Sequence, residues 1–110
     1  MATETRKVLG QSALSATTST DVYTVPALTQ AVVSSISVCN QAATDTSFRL
    51  SVAVAGLALT GKQYIYYDVV LPANDTFITT IGITLGAADV VRAYAGNASC
   101  SVNVYGVEIS

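Results

Sequence analysis

The groups able to carry acid–base, nucleophilic or metal chemistry in these 110 residues are seven carboxylates, five basic side chains, two thiols and six phenols, with no histidine. Without imidazole there is no Ser-His-Asp arrangement, no His-ligated zinc and no His general base. Carboxylate catalysis needs two acids converging in one cleft, and Asp68, Asp75 and Asp89 are the candidates because they flank one region. Their spacing matches neither a calcium loop nor a glycosidase pair. Asn74-Asp75 and Ala88-Asp89 fit turn and strand-entry positions, where a short acid accepts hydrogen bonds from nearby backbone amides. Gly61-Lys62 lacks the glycine-rich frame of a phosphate loop. The sequence therefore predicts no enzyme, no cofactor and no metal site.

The tyrosines say more. Between Gly61 and Phe77, Ile65, Tyr67, Val69 and Leu71 share one parity, while Tyr64, Tyr66 and Asp68 share the other. A period of two marks a strand with one buried and one available face. With the aliphatic parity inward, Tyr64 and Tyr66 point outward beside Lys62 and Asp68. Exposed strand tyrosines make good anchors for another protein, so Lys62, Tyr64, Tyr66 and Asp68 form the expected partner-contact set. The competing reading packs the tyrosines on each other or on a neighbouring loop of the same subunit.

Seven further stretches show the same rhythm. Arg6–Ser15 is a strand interrupted at Gly10, where a bulge or close backbone approach is expected. Asp21–Val25 is a short strand ending at Pro26. Ala31–Asn40 sets Val32, Ile36 and Val38 against Ser35, Ser37 and Cys39. Ser47–Ala55 sets Phe48, Leu50, Val52 and Val54 inward against Arg49, Ser51, Ala53 and Ala55. The 56–61 segment is open to several readings. Pro72 ends the tyrosine strand and Asn74-Asp75 turns the chain into Thr76–Ile81. Gly82–Ala88 reads as a connection, Asp89–Ala95 as a strand, and Ser99–Ile109 as the closing one. About eight short strands at this spacing predict an all-β, single-domain antiparallel β-sandwich, jelly-roll or immunoglobulin-like, over residues 6–110. Residues 1–5 are expected to be a polar tail.

Charged residues make up only 11% of the chain, against about 25% in an ordinary soluble domain. Hydrophobic residues make up 51%, and the remaining surface is small and uncharged. Such a surface resists self-association poorly, which predicts a homo-oligomer or a component of a larger assembly. Net charge is -2, and only Arg6 and Lys7 of the five basic residues are adjacent. Nucleic acid binding and an anionic membrane surface are both disfavoured for lack of a basic footprint. The N-terminus shows no secretory apolar core, and no run is long enough for a membrane helix, so synthesis in a cytoplasm is expected. Cys39 and Cys100 fall on strand faces of different character, which predicts two free thiols.

Several segments resemble small virion proteins of tailed bacteriophages. They are Lys7-Val8-Leu9-Gly10-Gln11-Ser12 with Tyr23-Thr24-Val25-Pro26, then Asn74-Asp75-Thr76-Phe77. Gly82-Ile83-Thr84-Leu85 comes next, with Ala88-Asp89-Val90-Val91-Arg92-Ala93-Tyr94 and the close Val102-Asn103-Val104-Tyr105-Gly106-Val107-Glu108. The likeness is one of strands and turns, without a reactive motif. It implies a β-sandwich structural protein of the virion, most like a capsid decoration (cement) protein. Such proteins commonly sit as trimers on the outer shell and clamp neighbouring major capsid subunits. Many also carry an ordered N-terminal arm, for which the short polar start here leaves little length. A second implication is a tail, baseplate or head-fibre component binding host glycan through Tyr64 and Tyr66. A cytoplasmic host-interaction protein is a third and fits the low charge poorly.

Overall fold

A computed structural model describes residues 3–110. Its strands are β1 (Glu4–Ala13), β2 (Thr20–Thr24), β3 (Gln30–Asn40), β4 (Thr46–Ala53), β5 (Tyr64–Leu71), β6 (Thr76–Leu85), β7 (Val90–Ala95) and β8 (Cys100–Ile109). Two 3-10 turns, Val54–Gly56 and Gly61–Gln63, resolve the ambiguous segment between β4 and β5. Val, Ile and Thr dominate the strands because branched side chains suit a pleated, half-buried surface.

The chain folds as one long hairpin whose arms pair as β4–β5, β3–β6, β2–β7 and β1–β8, all antiparallel. The hairpin then wraps on itself, adding the antiparallel pairs β3–β8 and β4–β7. The result is two four-stranded sheets, ordered β1-β8-β3-β6 and β2-β7-β4-β5. This order is that of a jelly roll, which decides between the two sandwich types. Between the sheets lie Ile36, Phe48, Leu50, Leu71, Leu85, Val102 and Val104, all essentially inaccessible. Phe48 sits among rings, with its centroid 4.9 Å from Phe77 and 6.4 Å from Tyr66.

Bulges decide which way side chains face. The β1–β8 register slips between Val8 and Gly10, as the interruption at Gly10 predicted. A Cβ at Gly10 would overlap the Val22 carbonyl, so this crossing of strands requires glycine. In β3 the register slips between Val33 and Ser35. That extra residue buries Ala31 and Val33 along with Ile36 and Val38, and moves Val32 off the core parity. In β4, Ser51 and Ala53 are also buried, contrary to the predicted alternation, while Val54 is 65% exposed. The cause is the connection after β4. Arg92 donates to the carbonyls of Leu57 (2.8 Å) and Gly56 (3.3 Å), drawing the chain over the outer face beside Ser51, its strand partner.

Gly82–Leu85, expected as a connection, instead continues β6 at the sheet edge. At the end of the expected tail, Thr3 and Ser110 exchange backbone hydrogen bonds, and Glu4 and Thr5 pair with β8. Met1 and Ala2 of that expected tail lie outside the described residues. Cys39 and Cys100 are free thiols on neighbouring strands, and only Cys100 is buried. Burial raises the Cys100 thiol above its ordinary range.

A polar clamp involving ionised groups joins the two sheets. Tyr23 on β2 donates its hydroxyl to Glu108 on β8 at 2.7 Å, and Lys7 on β1 lies 3.0 Å from the other carboxylate oxygen. The Tyr23 hydrogen bond, then Lys7, lowers the Glu108 pKa, whereas burial and the carboxylate raise that of Tyr23. A depressed acid stabilises the fold above its unfolded pKa, about 4.3, and loses that contribution as pH falls. A raised phenol stabilises below its unfolded value, about 10, and loses that contribution as pH rises. Tyr23→Phe is therefore expected to cost about 1–2 kcal/mol at neutral pH. Denaturant titrations from acid to alkaline pH should also show both limbs flattened. An unchanged pH profile would rule out the clamp.

Candidate interaction surface

The tyrosine strand is less regular than its sequence. From Phe48↔Val69 to Leu50↔Tyr66, β5 advances three residues while β4 advances two. The additional residue falls at Tyr67-Asp68, and Asp68 takes φ +50°. A second slip lies between Leu50↔Tyr66 and Ser51↔Tyr64. Each slip reverses the parity of the residues beyond it.

Of the expected contact set Lys62, Tyr64, Tyr66 and Asp68, Tyr66 therefore faces the core. Its ring packs edge-on to Phe77 at 5.1 Å, and its hydroxyl hydrogen-bonds that of Thr79 at 3.0 Å, bridging β5 to β6. Tyr67, expected inward, is 57% exposed, and Ile65 on the same stretch is also exposed. Tyr64 stays with the outer group and meets Tyr67 edge-to-face at 4.9 Å.

Arg49 organises this outer face. Its guanidinium carbon lies 4.2 Å from the Tyr67 ring centre and 4.4 Å from that of Tyr94, its cross-strand partner on β7. Its Nε donates to Asp68 Oδ1 at 2.6 Å and Nη2 to Oδ2 at 3.3 Å. That fork ties down the bulge residue and raises the guanidinium pKa, so the site holds a permanent cation between two aromatic faces. Lysine could not replace it, lacking both the planar stack and the fork. Sequence reasoning missed Arg49, Tyr67 and Tyr94. Outward alternation was visible for Arg49, but its contact with Tyr94 comes from β4–β7 pairing, which no local pattern announces.

Beyond the cluster lie open sheet edges. β5 and β6 are the terminal strands of their sheets, and Val70 on β5 and Ile78 on β6 are each 68% exposed. Unpaired edge backbone with apolar side chains is a ready surface for another chain.

Lys62 sits apart from the cluster. It lines a recess of about 400 Å³ with Val52, Val54, Leu57 and Gln63. Gln63 is buried and donates Nε2 to the Ala58 carbonyl at 2.9 Å, while its Oε1 has no hydrogen-bond partner among the described residues. The three candidate acids do not converge. Asp68 holds Arg49, Asp75 accepts from the Thr76 amide at 2.8 Å, and Asp89 accepts from the amides of Ala55 and Gly86, each at 2.8 Å. Asp75 and Asp89 thus act as the turn residues their neighbours predicted. Among the described residues, no three His, Cys, Asp or Glu side chains gather as metal ligands, and no helix is long and apolar enough to cross a membrane.

The jelly roll has solved counterparts. A chain in the acid-stable capsid structure of Helicobacter pylori bacteriophage KHP30 superposes with a TM-score of 0.54 at 17% identity. The match covers 100% of this chain and 94% of the phage chain. The fold is shared with a phage capsid chain almost end to end. A chain in the structure of infectious bursal disease virus Gx strain gives a TM-score of 0.53 at 9% identity over 99% of this chain. This chain spans 37% of that viral protein's length. At such identities the likeness is one of fold. No protein-family model matches the chain, and no curated protein matches it in sequence.

Proposed function

We propose that this chain is a non-enzymatic structural protein of a bacteriophage virion, a decoration (cement) protein on the outer capsid surface. In this reading it binds as a homo-oligomer, a trimer, and stabilises contacts between major capsid subunits. The observation that carries it is the near end-to-end match to a chain of comparable length from a phage capsid structure. Jelly rolls serve capsid and lectin proteins alike, so fold alone is an analogy and the surface must add to it. It does so in two ways: charge is sparse, and two sheet edges are apolar and open. A weak contact repeated across a symmetric shell gains strength by multivalency.

The outer face of β4, β5 and β7 is the proposed shell-binding surface, with Tyr64, Tyr67, Arg49 and Asp68 as its anchors. Tyrosine and arginine carry much of the energy where proteins meet, because they offer rigid area with polar ends. Tyr66 is excluded because it belongs to the core. Tyr64→Ala with Tyr67→Ala should leave the fold intact, each being on the surface, yet weaken binding to capsids lacking the protein by about tenfold or more. Co-sedimentation with such capsids measures this. Binding unchanged in the folded double variant would remove the face from the account. Particle reconstructions with and without the chain test the role itself, and extra density should appear on the outer surface of the shell. Density confined to the tail would favour a tail or fibre role.

A further inference from the structure

We propose that Leu28 of one copy of this chain inserts into the Val52–Val54–Leu57 recess of the next copy, and that this contact builds the homo-oligomer. The inference rests on the reading that the chain assembles with itself, and it names where.

Leu28 occupies the turn between β2 and β3. It is 95% exposed, and its backbone takes φ +58°. A bulky residue in the left-handed region is a rare outlier, and glycine or asparagine would make the turn at less cost. Here an apolar side chain is held in solvent by strained backbone, with Thr29 Oγ1 fixed to the Ala27 carbonyl at 3.1 Å beside it. Outliers of this kind cluster where a structure grips something. The leucine touches little of its own subunit, so folding does not explain it.

The recess has the complementary character. Val54 and Leu57 line it and are 65% and 59% exposed. Its volume of about 400 Å³ accommodates a leucine side chain with part of its turn. Its walls are fixed in place. Arg92 holds the carbonyls of Gly56 and Leu57, and the Ala55 amide donates to Asp89. Gln63 lines it and keeps a buried Oε1 with no partner among the described residues. Lys62 supplies ammonium donors for the carbonyls of an incoming turn.

Knob and recess lie at one end of the sandwich. Val25, just before the Leu28 turn, exchanges backbone hydrogen bonds with Ala88 and Asp89 at 3.0 Å, and Asp89 holds the recess segment. Each copy thus offers both halves at the same end and uses different residues to give and to receive. Such a heterologous contact closes into a ring when its rotation permits.

Leu28→Asp and Leu57→Asp separate the possibilities, since both positions are exposed and tolerate charge without unfolding. Sedimentation equilibrium should show each variant associating at least about tenfold more weakly than the wild type. An equimolar mixture should recover 1:1 dimers, because one partner keeps its knob and the other its recess, but no larger ring. Leu28→Gly should lose association equally while unfolding at the same or a higher temperature, which keeps assembly apart from stability. Wild-type assembly in either aspartate variant, a mixture that stays monomeric, or a monomeric wild type would each overturn the contact. A monomeric wild type that still coats capsids would overturn this inference and leave the shell role standing.

Discussion

Phe48→Ala is expected to destabilise the domain by about 3–5 kcal/mol, the range for removing a fully buried ring. The phenyl group is wholly inaccessible and central to the space between the sheets, touching Phe77 and Tyr66. Collapse into the space is restricted, because Phe77 and Tyr66 are held by the backbone pairing of their strands to β3 and β4. Net stability of a domain this size is about 5–15 kcal/mol, so the variant stands near the limit of folding. Urea titration followed by far-ultraviolet circular dichroism would measure the loss. Phe48→Leu, which keeps most of the volume, should lose far less. A cost below about 1 kcal/mol for the alanine would mean that the rings are not the centre of the core.

Asn40 should rival it for a different reason. The side chain is fully buried at the end of β3, and its Nδ2 faces the carbonyls of Thr44 (2.9 Å), Pro72 (3.2 Å) and Leu71 (3.3 Å). Its Oδ1 accepts from the Ala42 amide at 3.0 Å and Asn97 Nδ2 at 3.4 Å. One amide thus fastens three separate connections at one end of the sandwich. Asn40→Ala leaves several of those groups unpaired, and with about 1–3 kcal/mol for each buried orphan the loss should reach about 3–5 kcal/mol.

Asn40→Asp is the sharper test. A carboxylate has no donor for the three carbonyls, so at neutral pH it should be at least as harmful as alanine. Protonation restores one donor, and burial raises the pKa of such an acid. Its stability relative to the wild type should therefore improve as pH falls through that raised value. Equal instability at all pH values would show that the donated hydrogen bonds do not matter.

How far the sequence carried depended on whether the controlling interaction was local. The rhythm of β7 and β8 was plain, because Val91, Ala93 and Ala95, and Val102 and Val104, lie on unbroken strands. Pro72 and Asn74-Asp75 marked their turn correctly, and Asn74 takes the positive φ that asparagine tolerates in turns. The face of Tyr66 was misjudged because alternation counts residues and the Tyr67-Asp68 bulge adds one. Nothing local marks that bulge. Asp68 accepts the strained conformation in the company of Arg49, which lies on another strand. Gly82 looked like a break, yet it sits on an edge strand where a missing side chain costs little packing. Asn40 gave no sign of its burial, since its partners come from segments distant in sequence. The outer cluster was legible in part for the same reason: Tyr64 and Asp68 stood out on one strand, Tyr67 joins them through the bulge, and Arg49 and Tyr94 meet them only through strand pairing.

Copy number in purified particles tests the shell role most directly. Quantitative mass spectrometry against the major capsid protein should find this chain in a fixed ratio to capsid subunits, on the order of hundreds of copies per particle, as a symmetric lattice requires. A few copies per particle, or none, would contradict the account.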